Sequence, residues 1–256
     1  MKRKLLLFAI ILLLAAFLLA KPAYYLYRDV SFDWQERSAQ AREVKAFAEE
    51  NRISFGRYPW EIIELYENNP ETREFVLNYP FREEMETDLS GYSRETVPLF
   101  LQWDPMWGYE DYGSSCIAVT GCGPTCLAMA GYYLTGEASF NPAQVAAFSQ
   151  KNGYYAAGYG SSWTLISEGA EKLGLSVKEL PLVKKKMITA LEEGKLVVLA
   201  LGKGDFTSSG HYILLTSWNG DAFTVNDPNS RIRSAQSWTY EQLEGQIRNI
   251  WAVGKG

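Results

Sequence analysis

The chain has a single histidine, His211, and three cysteines, Cys116, Cys122 and Cys126. One histidine cannot build the usual His-rich zinc site, and the cysteines lack the paired Cys-x-x-Cys spacing of a structural one, so no metal is expected. Internal repeats and low-complexity stretches are also absent. Basic residues are in deficit: the net charge is −5 over 256 residues, and the four cations Lys2, Arg3, Lys4 and Lys21 all lie at the start. Without residues 1–21 the charge is −9. An acidic body of this kind disfavours nucleic acid and anionic membrane surfaces as partners. The run Lys184-Lys185-Lys186 does not reverse this and reads as the solvated start of a helix.

What is abundant is apolar: 47% of residues are hydrophobic and 14% aromatic, enough for a substantial core. The basic start is followed by sixteen uncharged residues, Leu5 to Ala20, closed by Lys21 and Pro22. This run is short for a membrane span and long for the core of a signal peptide, so residues 1–31 are expected to be either a cleaved signal or an N-terminal membrane anchor. Basic residues ahead of the run predict that the rest lies outside the cytoplasm. No cysteine follows it for lipid attachment.

Residues 32–96 read as a helical extension, with helices expected over 32–51 and 59–68 and from Asn69 to Tyr79. From Val97 the character changes, and 97–256 reads as the main domain. Cys122 to Leu134 forms an expected buried helix, followed by helices over 142–150, 163–173 and 187–193, the last two stopped by Gly174 and Gly194. Strands are expected at Leu196–Leu201, His211–Trp218 and Phe223–Asn226, with Asn219-Gly220 suggesting a type I′ hairpin between the last two. Helices first and an antiparallel sheet afterwards make an α+β architecture.

The residues with chemistry in them fall in this domain. Cys122 lies in Gly121-Cys-Gly-Pro-Thr125, where glycines allow close approach of a substrate and Pro124 suits the first turn of a helix. A thiol at a helix N-terminus meets the positive end of the helix dipole, which favours the thiolate. His211 opens an apolar strand, and Asp227-Pro228 ends the next strand sixteen positions on. Adjacent antiparallel strands can bring such a base and an orienting carboxylate side by side. Gly160-Ser-Ser-Trp163, in a loop rich in tyrosine and glycine, reads equally as the wall of a groove or as a helix cap.

These motifs occur in an ordered set: Val97-Pro98, Gln102-Trp-Asp-Pro-Met-Trp107, Tyr112-Gly113, Gly121-Cys-Gly-Pro-Thr125, Gly210-His-Tyr212 and Asn226-Asp-Pro228. The set resembles the C39-like peptidase family, stand-alone papain-fold relatives of the double-glycine leader peptidases, over roughly 97–250. The stretch from Asn69 to Pro80 is similar to the N-terminal extension of secreted Gram-positive members. The resemblance implies a papain-like fold, with the nucleophile's helical lobe packed on an antiparallel sheet. It also implies a Cys122–His211–Asp227 triad, with Asp221 and Asn226 as alternatives for the third position. Gln102 is the implied oxyanion donor, since the position six before Cys122 is Cys116 rather than glutamine. Peptide or protein substrates, no cofactor and a monomeric state are the corresponding expectations. Cell-wall peptide hydrolysis, acyl transfer on the same triad and an idle binding module are the alternatives. Cys116 and Cys126 are expected to be unpaired core residues.

Overall fold

The computed structural model describes residues 20–27, 37–158 and 160–256. Most of the expected signal or anchor segment therefore lies outside the described residues. Among those described, no helix is long and apolar enough to cross a membrane. The chain divides into two compact units, parting between Phe81 and Arg82. The expected domain start at Val97 thus falls inside the second unit.

The first unit contains helices α1 (Ala39–Glu50), α2 (Trp60–Asn68) and α3 (Arg73–Asn78). Ser38 caps α1 by accepting from the Ala41 amide, and Asn69 caps the 3₁₀ turn that leads into α3. Val44, Ile62, Ile63 and Val76 are fully buried in this unit, and the buried Tyr58 hydroxyl donates to the Leu77 carbonyl at 2.9 Å.

The second unit is built on a six-stranded antiparallel sheet. Two small hairpins precede it, β1 (Asp111–Tyr112) with β2 (Ser115–Cys116), and β3 (Tyr155–Ala156) with β4 (Gly160–Ser161). The sheet comprises β5 (Leu175–Glu179), β6 (Leu196–Leu201), β7 (His211–Trp218), β8 (Phe223–Asn226), β9 (Ser237–Trp238) and β10 (Ile247–Lys255), in the order β5-β10-β6-β7-β8-β9. Its helices are α4 (Ile117–Thr120), α5 (Cys122–Thr135), α6 (Pro142–Lys151), α7 (Ala170–Lys172), α8 (Lys184–Glu192), α9 (Arg231–Ser234) and α10 (Tyr240–Leu243).

The sheet is covered on both faces, which explains the unbroken apolar run of β6. Val198 and Ala200 join Tyr212, Leu214, Trp251 and Val253 in the core shared with α5 and α6. Val197 and Leu199, one position out of phase, join Ile213, Ile250 and Ala252 in a second core with Met187 and Ala190 of α8. Central strands buried on two sides read as continuous hydrophobic runs rather than alternations. This is the papain-like layout of a helical lobe against an antiparallel sheet.

One expectation needs correction. The β7–β8 turn is a four-residue loop, since Trp218 pairs with Phe223. A type I′ turn would need positive φ at both central residues, but only Gly220 has it (φ 101°). The Asn219 side chain instead accepts the amides of Asp221 and Ala222 at 3.0 and 2.8 Å, and the Asn219 amide donates to the Ala222 carbonyl at 3.1 Å, closing the turn. The helix expected over 163–173 is present over 164–172, wound as a π-helix at Leu165–Gly169 before it continues into α7.

Candidate active site

Helix α5 sets the position of Cys122. Residues 123–132 of this helix are all buried, so it runs through the core with its N-terminus at the cavity. Gly121 and Gly123 flank the cysteine for steric reasons: a Cβ on Gly121 would lie 2.6 Å from Ile117, and one on Gly123 2.8 Å from the Ser161 side chain. All three cysteines are free; Cys116 and Cys126 are buried, and Cys122 is partly exposed. Burial pushes the Cys116 thiol up to about 11 and the Cys126 thiol well above its usual value, leaving both as inert core residues.

His211 is the first residue of β7, paired across to Leu201 of β6. Its Nε2 lies 2.7 Å from Asp227 Oδ1, and its ring lines the same cavity as Cys122. With Nε2 committed to the carboxylate, Nδ1 is the nitrogen left for the thiol. Burial by itself would push the His211 pKa down. The Asp227 charge and hydrogen bond, with the Cys122 contact, outweigh it and push it up to about 10.

Asp227 is fully buried just past the end of β8. Oδ1 also accepts the Asn229 amide at 2.8 Å, and Oδ2 accepts from Arg233 Nε. Burial alone would raise the Asp227 pKa, but His211 and then Arg233 hold the carboxyl below its usual range. The two alternatives for this position lie elsewhere. Asn226 donates to the Val97 and Pro98 carbonyls at 3.2 and 2.9 Å, and Asp221 sits in the exposed β7–β8 loop.

A cavity of about 250 Å³ opens on these groups. Among the described residues, its walls carry no titratable group other than Cys122, His211 and Tyr212; Trp163, Ala156, Ala200 and Leu201 supply apolar surface. Ser161 and Ser162 also line it, so the Gly160–Trp163 segment forms a wall, while Ser162 additionally accepts from the Thr164 amide at 3.3 Å. A buried chain of hydroxyls holds this segment: Tyr112 to Ser149 at 2.8 Å, Tyr112 to Ser161 at 2.7 Å, and Tyr212 donating to the Ser161 carbonyl at 3.1 Å. Trp163 is half exposed and packs edge-on against Trp251, with ring centroids 6.0 Å apart.

Gln102 is buried, and its side-chain amide donates to the Ala118 carbonyl at 2.6 Å, four residues before Cys122. The structure therefore brings Cys122, His211 and Asp227 together and anchors Gln102 on the turn leading into the cysteine. Arg233 is the charged partner that the sequence reading missed. In sequence it is one of two arginines in a short polar segment, and only the turn after β8 aims it at Asp227. Among the described residues, no group of His, Cys, Asp and Glu side chains is placed to hold a metal ion.

The chain's similarities agree with this layout. Residues 94–255 match the model of the Peptidase_C39 like family. A search of curated proteins finds no match. Among solved structures, the chain is similar to the peptidase domain of Streptococcus ComA, a bifunctional ABC transporter involved in quorum sensing. That alignment has 15% identity and a TM-score of 0.43, covering 58% of this chain and 99% of the other. It is also similar to a Bacillus anthracis protein described as a C39-like peptidase, with 15% identity and a TM-score of 0.38 over 62% of this chain and 95% of that one. The family match spans well over half of the sequence, and on that ground this chain belongs to the Peptidase_C39 like family and is a cysteine peptidase.

Proposed function

We propose that the chain cleaves amide bonds of peptide or protein substrates outside the cytoplasm, through a thioester formed on Cys122. The observation that carries this reading is the 2.7 Å contact between Asp227 Oδ1 and His211 Nε2, with His211 and Cys122 lining the same cavity. A raised His211 pKa supports an imidazolium beside the Cys122 sulfur.

In this mechanism the Cys122 sulfur attacks the carbonyl carbon, and the imidazolium gives its proton to the departing amine as the C–N bond breaks. Neutral His211 then takes a proton from water as the hydroxide attacks the thioester, and returns it to sulfur as the acid leaves. The Cys122 backbone amide and the second N–H of Gln102 are the proposed oxyanion donors, the first N–H being held by Ala118. Asp227 keeps the ring oriented. The largely apolar cavity suits an uncharged substrate side chain. Extracytoplasmic placement rests on the basic start and the apolar run Leu5–Ala20.

The test combines a quenched-fluorescence peptide library with trapping. Wild-type protein cleaves responsive peptides and accumulates a covalent adduct on Cys122 by mass spectrometry, and Cys122→Ala does neither. Undiminished cleavage by Cys122→Ala would overturn the reading. Protease added to intact cells should degrade the peptidase unit if it lies outside.

A further inference from the structure

The carboxylate beside His211 is shared with a cation. Arg233 Nε donates to Asp227 Oδ2, on the opposite side from the oxygen that meets the imidazole. The Arg233 side chain is only 22% exposed, and its guanidinium lies 5.9 Å from the Phe206 ring centroid. Its Nη2 is buried without a hydrogen-bond partner.

Nothing about holding the turn requires that charge. The segment from Asp227 to Ser234 is already closed by uncharged partners. The Ser230 amide donates to the Asp227 carbonyl at 3.1 Å, and the Asp227 amide to Ser234 Oγ at 2.9 Å. Ser234 Oγ donates to the Ser230 carbonyl at 2.7 Å, and the Arg233 amide donates to Ser230 Oγ at 3.1 Å. A largely covered guanidinium with an orphaned nitrogen carries a desolvation cost. Such a cost is retained where a charge arrangement serves chemistry.

We propose that Arg233 is a positioning residue for catalysis, fixing the Asp227 carboxylate so that Oδ1 faces His211 Nε2. The proposal rests on the reading of Cys122 and His211 as the reacting pair. Oδ1 already divides its lone pairs between His211 and the Asn229 amide. Without Arg233 on Oδ2, the carboxylate loses the contact that resists its rotation. The imidazole loses its orientation in turn, and with it the imidazolium that keeps the thiol reactive.

The experiment reads the rate of Cys122 alkylation by limiting iodoacetamide in the full chain, with the label located by peptide mass spectrometry. Cys116 and Cys126 are buried and do not compete. At about pH 6, Arg233→Met should slow labelling by about 10- to 100-fold, less than loss of a triad carboxylate costs, and Arg233→Lys should fall between Met and wild type. In an Asp227→Asn background, Arg233→Met should change the rate by less than about twofold, because its effect runs through the carboxylate. The proposal fails if Arg233→Met labels within about twofold of wild type, or if it slows Asp227→Asn as much as it slows wild type. If Arg233→Met does not fold, Arg233→Lys decides alone: labelling within about twofold of wild type overturns the proposal. Slow labelling of the wild type itself would instead overturn the Cys122–His211 reading, and this proposal with it.

Discussion

Gln102 donates its backbone amide to the carbonyl of Pro228 at 2.7 Å, the residue directly after Asp227. Its side chain meanwhile donates to Ala118, four residues before Cys122. One residue thus spans the helical and the sheet sides of the site.

That placement makes Gln102→Leu informative. As an oxyanion donor, Gln102 should take about 100- to 1000-fold from kcat when lost, with KM nearly unchanged. Were it only a pin on Ala118, the melting temperature would fall while kcat stayed within about tenfold of wild type. Steady-state kinetics beside a melting curve separate the two.

The His211 pair predicts how stability depends on pH. The ring's pKa rises from 6.5 to about 10 on folding, so over that window the native state keeps a proton that the unfolded chain has released. Its contribution is therefore complete below about pH 6.5 and declines as pH rises toward 10. Denaturant unfolding of wild type and His211→Gln should show a stability difference that is largest at about pH 6 and shrinks steadily toward pH 9. A difference that stays flat across this range would refute the pairing.

Gly123→Ala puts a methyl group 2.8 Å from both Cβ and Oγ of Ser161. Ser161 is held by Tyr112 and Tyr212, so it has little freedom to retreat. The expected cost is about 1–3 kcal/mol, a fall of roughly 2–8 °C in melting temperature. Alkylation of Cys122 should also slow, because the β3–β4 segment and α5 are forced apart. Wild-type melting and labelling would show that the two elements are not in contact.

The parts of the fold visible in the sequence were those with a local cause. β6, β7 and β8 occupy the expected residues because each is an apolar run bounded by glycine or by a turn. The start of α5 was legible from Gly-Cys-Gly-Pro, and the nearness of His211 and Asp227 from the spacing of two strands; grouping them with Cys122 as a triad came from the family resemblance. What escaped depends on distant partners. β5 and β10 were not anticipated: β10 mixes Arg248, Asn249 and Trp251 and becomes a strand only between two others. The β7–β8 turn was misassigned because Asn219 can satisfy a loop with its own side chain. Arg233 was invisible because one of two arginines in a short polar stretch has no periodicity to betray what it faces.

The sheet order has a consequence for how the domain assembles. β10 lies farthest along the domain, yet it fills the place between β5 and β6. During synthesis, Cys122 and His211 leave the ribosome before the strand that joins those two edges. A nascent chain still lacking Ile247–Lys255 has both reacting residues but an open seam through the sheet that supports them. Sequence-distant pairing of this kind forms slowly and last. Loss of β10 would therefore part the sheet in its interior rather than trim it at an edge.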